Sequence, residues 1–469
     1  MSAVKRGTLL LVSGWGVQLV TGYLMNSWLG RTLAPEVYGT YGVVMAVLLY
    51  MEIGVISGIP TAVQKFVASH EPQAASIVRV ANRLQFVYIT VMFGLSMALA
   101  PWISRLMGDV ALVGPMRIAF WDLWVYSYFF IYMSAQNGLR RFGRQAALIM
   151  IYSISKLLSV FVLVRLMHSV DGALIANILG SLAGLVIALF FWKGRPRAKI
   201  EAAPFDWRKL VRFAWPVALF SLTIHLFPSV DLWMVKAFCG AADPGYYTAA
   251  QAIAKIPYLL FFGLSATVLP EVSKALSRHD EAAARRTVST AIRLLVIVVV
   301  PLCVLVWPWA DDALALLFGA AFRPGGAALR LLMISHSLLA FLFLLTTILN
   351  ADNRPQHSLW LTLAAVTVDI ILVRMLTPVY GMTGAAAATS AALLIGVTVG
   401  GVLVWRRFKP EFSLRSVFRI TVAAFLVGLA AHQFSVSGWS LIGAGAGLFV
   451  VYLLLLWAMR EYRPADLFR

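Results

Sequence analysis

Ionisable residues are rare inside the long apolar runs of this chain, so the few that occur carry the first chemical information. Lys255 and Asp231 lie in neighbouring runs joined by a short turn. At about 1.5 Å per helical residue, Lys255 is roughly 13 Å and Asp231 roughly 10 Å from the joined ends. An amine and a carboxylate facing each other at that depth could hold an anion and let it go. Tyr247, Gln251 and Lys255 recur at every fourth position, as do Ser221, His225 and Ser229. Each set makes one polar stripe on a helix, and two adjacent stripes suggest a hydrated lumen. Asp122 and Lys156 form a second pair at similar depth, open to two readings: a functional pair or a structural bridge. Glu52 and Asp369 are single acids within runs. His225 is either a proton site or a hydrogen-bonded packing residue. Arg165 and Arg374 sit near a rim, where an arginine either snorkels to the interface or meets an anionic substrate. The candidates for substrate binding are therefore Lys255, Lys156, Arg165, Arg374, Gln251 and Tyr247. Those for ion coupling are Asp231, Asp122, Glu52, Asp369 and His225.

The elements that must hold these residues are membrane helices. Of 469 residues, 61% are hydrophobic and 13% charged, more apolar surface than a soluble domain of this length could hide. Runs of about 20 residues, the length that crosses a bilayer as helix, fall near 7–30, 38–59, 77–100, 112–136, 146–168, 171–192, 211–238, 246–269, 291–310, 327–350, 358–378, 381–405, 416–434 and 438–459. The expectation is an all-α polytopic protein of about fourteen spans, with both termini on one side. Basic residues test that count. Of the 39 lysines and arginines, 29 fall on the side of the termini, 8 on the other side or its span ends, and 2 inside spans. The bias assigns the termini to the cytoplasm, and the stretch 193–210 with them. The net charge of +19 is then a topology signal, and no nucleic-acid partner is expected. Cys239 and Cys303 read as two small buried residues without a bridge.

The chain also repeats itself. GRTLAPEVYGTYG at 30–42 returns as CGAADPGYYTAAQ at 239–251, placing Gly39 and Gly245 at an offset of 206. Pro60 and Pro270 are 210 apart, and Arg165 and Arg374 are 209 apart. Matches in one order at nearly one offset indicate duplication. Spans one to six then match seven to twelve in the same orientation. The expected organisation is an N-lobe at 1–200, a C-lobe at 205–410 and two appended spans at 411–469. Parallel repeats usually hold substrate at their interface near mid-membrane. Pro216 and Pro228 in span seven, and Gly14, Gly16 and Gly22 in span one, make the first helix of each half bendable.

Several phrases carry a family likeness: LGRTLAPEVYGTYG followed by GIPTAVQKF, then DLWMVKAFCGAADPGYYTAAQ, LFGAAFRPGGAALRLL, ILNADNRPQHSL and TPVYGMTGAAAATS. They resemble bacterial polysaccharide-biosynthesis flippases of the multidrug/oligosaccharidyl-lipid/polysaccharide exporter superfamily, over nearly the whole chain. The resemblance implies a bacterial inner-membrane protein that moves a polyprenyl-diphosphate-linked oligosaccharide from the cytoplasmic to the outer leaflet by alternating access. It implies coupling to H+ or Na+ in some members, no other cofactor, and a polysaccharide polymerase as a partner. One branch flips the lipid-linked peptidoglycan precursor and carries arginines in its first span. Here that span's polar residues are Ser13, Gln18, Thr21 and Asn26, which counts against it. A drug or cation antiporter of the same superfamily is a further alternative. A membrane-embedded glycosyltransferase or polymerase would need a sizeable outer loop with catalytic acids. The longest here, 310–326, offers Asp311, Asp312 and Arg323 without metal-ligand spacing, and no Walker-type phosphate loop occurs. A transporter rather than an enzyme is therefore expected.

Overall fold

Prolines set the helix starts. Pro35, Pro60, Pro228, Pro257 and Pro355 each occupy the first turn of a helix, where a missing N–H costs no intrahelical bond and φ is already helical. The computed structural model describes residues 3–193, 205–352, 354–410, 414–434, 436 and 438–461. The described residues are helical throughout, with short 3-10 turns and no strand. Most of the stretch 193–210, including Arg195, Arg197 and Lys199, lies outside them.

The chain forms two units, 1–245 and 246–469. The first holds α1 (Ala3–Thr32), α2 (Pro35–Ser57), α3 (Ile59–Ser69), α4 (Ala74–Leu106), α5 (Val113–Gly138), α6 (Phe142–Met167), α7 (Val170–Lys193), α8 (Trp207–Ile224) and α9 (Phe227–Phe238). Here α6 packs along α7 and α1, α5 lies against α7, α4, α3 and α2, and α2 also meets α8 and α9. Ile59, Val63, Ile77, Ile131, Leu210 and Ala214 knit α3, α4, α5 and α8 into one apolar cluster.

The second unit follows the boundary-crossing α10 (Asp243–Ala254) with α11 (Ile256–Ser277), α12 (Glu281–Phe318), α13 (Gly326–Ala351), α14 (Pro355–Phe408), α15 (Leu414–Gln433) and α16 (Ser440–Ala458). The central pair is α13 and α14, with α11 and α12 packed on α13. The appended α15 and α16 dock on α12 through Leu305, Trp309, Ile420, Val427, Tyr452 and Leu456. Glu461, buried after α16, pairs with Arg293 at 3.0 Å and Arg419 at 3.2 Å.

The protein is a multi-pass integral membrane protein. Ten helical segments among the described residues are long and apolar enough to cross a bilayer, or eleven with α8 and α9 counted as one bent span. The difference from fourteen has partly visible causes. The 54-residue α14 contains both expected runs 358–378 and 381–405, joined across Gly381, whose φ of 60° and ψ of −144° break the helix. The eighth run is split at Lys255 into α10 and α11. Span seven bends by 50° between α8 and α9, where Pro228 offers no N–H to the carbonyl four residues back, that of Ile224, the last residue of α8. Pro216 lies inside α8 without ending it.

Candidate functional site

In the first unit, polar side chains from four helices converge in apolar surroundings. Glu52 on α2 is 4% exposed and Asp122 on α5 wholly buried. Their carboxyl groups lie side by side. Asn177 on α7 donates from Nδ2 to Asp122 Oδ2 at 2.6 Å. One turn further, the buried Ser181 hydroxyl lies beside the same carboxyl but closes no hydrogen bond. Glu52 Oε1, Asp122 Oδ1 and Asn177 Oδ1 likewise have no donor. The half-buried Lys156 on α6 is electrostatically linked to both acids, with its amine 5.8 Å from the Tyr152 ring centre.

Close helix packing brings these groups together. A Cβ on Gly180 would lie 2.7 Å from Lys156 Cβ, and one on Gly184 would lie 2.8 Å from the Phe129 ring. The two glycines let α7 press against α6 and α5, as small residues do where membrane helices approach. Asn177 and Ser181 sit on that same helix. Tyr152 stacks on Phe129 at 5.6 Å and meets Tyr126 at 5.7 Å, forming an aromatic wall.

The sequence pairs Asp122 with Lys156 and leaves Glu52 alone. The structure joins all three and adds Asn177 and Ser181. No ion pair within 4.0 Å links Lys156 to Asp122 among the described contacts; the shortest bond to that carboxyl comes from Asn177. The signal for the missed residues was present. They are spaced by four in an otherwise apolar run, the spacing that marked the stripes elsewhere. Two carboxyl groups and one amine therefore meet there, beside oxygens of Glu52, Asp122 and Asn177 that accept no hydrogen bond.

The other candidates divide between the units. Asp231 is wholly buried on α9, with Oδ1 accepting from Leu232 N at 2.7 Å. His225 stands at the α8–α9 bend with Nδ1 2.8 Å from the Ser221 carbonyl, and Ser229 donates to the His225 carbonyl at 3.2 Å. The span-seven stripe thus binds its own backbone around the bend. Arg165 is exposed at the end of α6. In the second unit, Tyr247 and Gln251 are buried on α10, and Lys255 is half-buried at the break before α11. Asp369 is wholly buried on α14 and Arg374 exposed. Both cysteines are free; Cys303 Sγ lies 3.1 Å from Ser337 Oγ. No group of three or more His, Cys, Asp or Glu arranged for a metal occurs among the described residues.

A bundle of membrane helices with a buried polar cluster fits a membrane transporter, and the comparisons point to that class. The architecture matches a lipid II flippase in an inward closed conformation, with a TM-score of 0.80 at 14% identity over 98% of this chain and 100% of that one. It also matches an inward-facing multidrug-resistance MATE transporter of the MOP superfamily, with a TM-score of 0.69 at 15% identity over 84% and 96%. A protein described as a probable low-salt glycan biosynthesis flippase of Haloferax volcanii is 22% identical over 71% of this chain and 70% of its own length. An uncharacterized membrane protein of Methanocaldococcus jannaschii is 24% identical over 81% and 92%. The polysaccharide biosynthesis protein family model matches residues 4–276, and the MatE model residues 216–376. The chain belongs to the polysaccharide biosynthesis protein family, with the fold of the MOP superfamily.

Proposed function

We propose that this protein is a flippase that carries a polyprenyl-diphosphate-linked oligosaccharide from the cytoplasmic to the outer leaflet of a bacterial inner membrane, with both termini cytoplasmic. The observation that carries this reading is a cationic side chain within a broken span, in a chain of the polysaccharide biosynthesis family. Lys255 stands at the gap between α10 and α11, where Pro257 leaves the carbonyl of Ile253 without its usual helical donor. A charge within a span is costly and is kept where it meets a pathway or a partner. A diphosphate headgroup is such a partner, while the polyprenyl tail remains in lipid. The amine's attraction for phosphate strengthens as water is excluded, far beyond the roughly 1 kcal/mol of a pair at 4 Å in water.

The Glu52–Asp122–Lys156 cluster is the coupling site in this reading. With all three groups ionised it would carry one negative charge, which one proton or Na+ would neutralise. Loading and release of that cation change the cost of holding the cluster in apolar surroundings, which gives the transport cycle an energetic handle. No other cofactor is invoked, and a polysaccharide polymerase would take the delivered product.

A specific observation disfavours the peptidoglycan-precursor reading. Between Gly7 and Gly30, α1 carries no lysine or arginine, and its Ser13, Thr21 and Asn26 donate to the carbonyls of Leu9, Val17 and Gly22 on their own helix. The test is transfer of a fluorescent polyprenyl-diphosphate oligosaccharide between leaflets of vesicles containing the purified protein, beside lipid II and a cationic drug. Selective movement of the oligosaccharide is expected, reduced by Lys255→Ala and partly kept by Lys255→Arg. Movement of lipid II or the drug alone would refute the reading.

A further inference from the structure

The repeated phrase meets itself. Gly39 lies near the start of α2, and Gly245, its counterpart, near the start of α10; the contact between them is within the first unit. A Cβ on Gly39 would fall 2.6 Å from Gly245 N and 3.2 Å from its Cα. One on Gly245 would overlap the Pro35 carbonyl. Backbone therefore touches backbone, and a side chain at either position would force the two stretches apart. A second contact ties the chain just before Gly245 to the turn after α4. Lys236, in the last turn of α9, donates from Nζ to Asp109 Oδ2 at 2.7 Å. Asp109 caps the 3-10 turn Val110–Leu112 after α4, and the Lys236 side chain is 11% exposed. Gly108, at φ 69°, turns the chain there, and its missing Cβ faces the Ala237 carbonyl at 3.8 Å.

All four positions belong to the rim that the charge distribution assigns to the outside. Contacts of this kind suit a seal that opens. Two glycine backbones can part without unlocking interdigitated side chains, whereas packed cores resist such motion. A partly exposed ion pair holds only weakly. We propose that the Gly39–Gly245 contact and the Asp109–Lys236 ion pair form a seal on this rim that parts each time cargo leaves. This gives the duplicated phrase a purpose: each copy supplies one half of the closure. The inference rests on the flippase reading for its cargo, but the seal itself can be tested without any substrate.

The native Cys239, three residues beyond Lys236, reports on the rim. With Cys303→Ser as background, it is the sole thiol of the 469-residue chain. Its labelling by a membrane-impermeant maleimide is measured in intact cells, beside surface polysaccharide in a flippase-null strain. Asp109→Lys and Lys236→Asp should each raise labelling by up to about fivefold, the scale of a partly exposed ion pair. The double swap should return it towards the background value, a rescue that misfolding would not give. Gly39→Ala and Gly245→Ala should raise labelling by about fivefold or more and reduce export, because overpacking holds the rim apart. Gly114→Ala, with nothing within 4 Å of its added Cβ, is the control for both readouts. Background-level labelling in Gly245→Ala and in both charge reversals, at normal abundance, would overturn the seal. Raised labelling without export in the unsubstituted background would instead count against the cargo.

Discussion

Gly180→Ala links packing to the buried cluster and can be worked out from the structure. The added Cβ would lie 2.7 Å from Lys156 Cβ, 3.0 Å from its Cα and 3.2 Å from its N. Ordinary contact begins near 3.4 Å, so α6 and α7 must separate by about 0.7 Å there. The obstacle is the Lys156 main chain and Cβ, which cannot swing aside as a side-chain tip could. Overpacking of this kind costs about 1–3 kcal/mol. The strain falls on the residue that carries the cluster's positive charge, and one helical turn from the Asn177–Asp122 hydrogen bond. Gly22→Ala is the matched contrast. Nothing lies within 4 Å of its added Cβ, and alanine favours helix over glycine by up to about 1 kcal/mol. Thermal unfolding of the purified proteins in one detergent should show Gly180→Ala melting clearly below wild type and Gly22→Ala at or above it. Oligosaccharide transfer in vesicles should fall in the first and persist in the second. Equal melting temperatures and equal transfer for both variants would refute the claim that the α6–α7 contact positions the cluster.

Asn177→Leu leaves the buried Asp122 carboxyl without its 2.6 Å donor and should cost about 1.5–3 kcal/mol, read as a lower unfolding temperature; Asn177→Gln should recover little, because its amide is displaced by a methylene. Asp109 is held below its ordinary value first by the hydrogen bond from Lys236. A depressed folded-state value means that its contribution is complete above the unfolded value and is lost as pH falls through the folded one. The stability difference between wild type and Asp109→Asn should therefore be flat from about pH 7 to pH 5 and shrink below about pH 4, measured by melting in detergent across that range. Glu461→Gln releases Arg293 and Arg419 and should make α15 and α16 more open to limited proteolysis while α1–α7 keep their wild-type cleavage pattern.

The sequence by itself determined the elements, because their cause is local. A run of about twenty apolar residues must satisfy its backbone internally in lipid, so it becomes helix wherever it packs. Pro228 and Pro257 withhold an N–H where spans seven and eight break, although Pro216 sits inside α8 without ending it. The repeated phrases at 30–42 and 239–251 are legible because they are written in the letters themselves. The sites belong to another level. Hydropathy does not say which way a side chain points around its helix, or which helix stands opposite. Glu52 therefore read as a lone acid and Asn177 as an unremarked polar residue until α2, α5 and α7 were packed. Depth along a helix set Asp122 beside Lys156, to which it is electrostatically linked, but did not show that Asn177 would make the shortest bond. The helix contacts themselves rest on glycines, at Gly180 against Lys156 and at Gly39 against Gly245. A glycine carries no apolar signal, and its role is defined only by the backbone that comes to fill the space where its side chain is absent. That encounter joins residues 24 positions apart in the first case and 206 in the second, so it was decided by the tertiary structure alone.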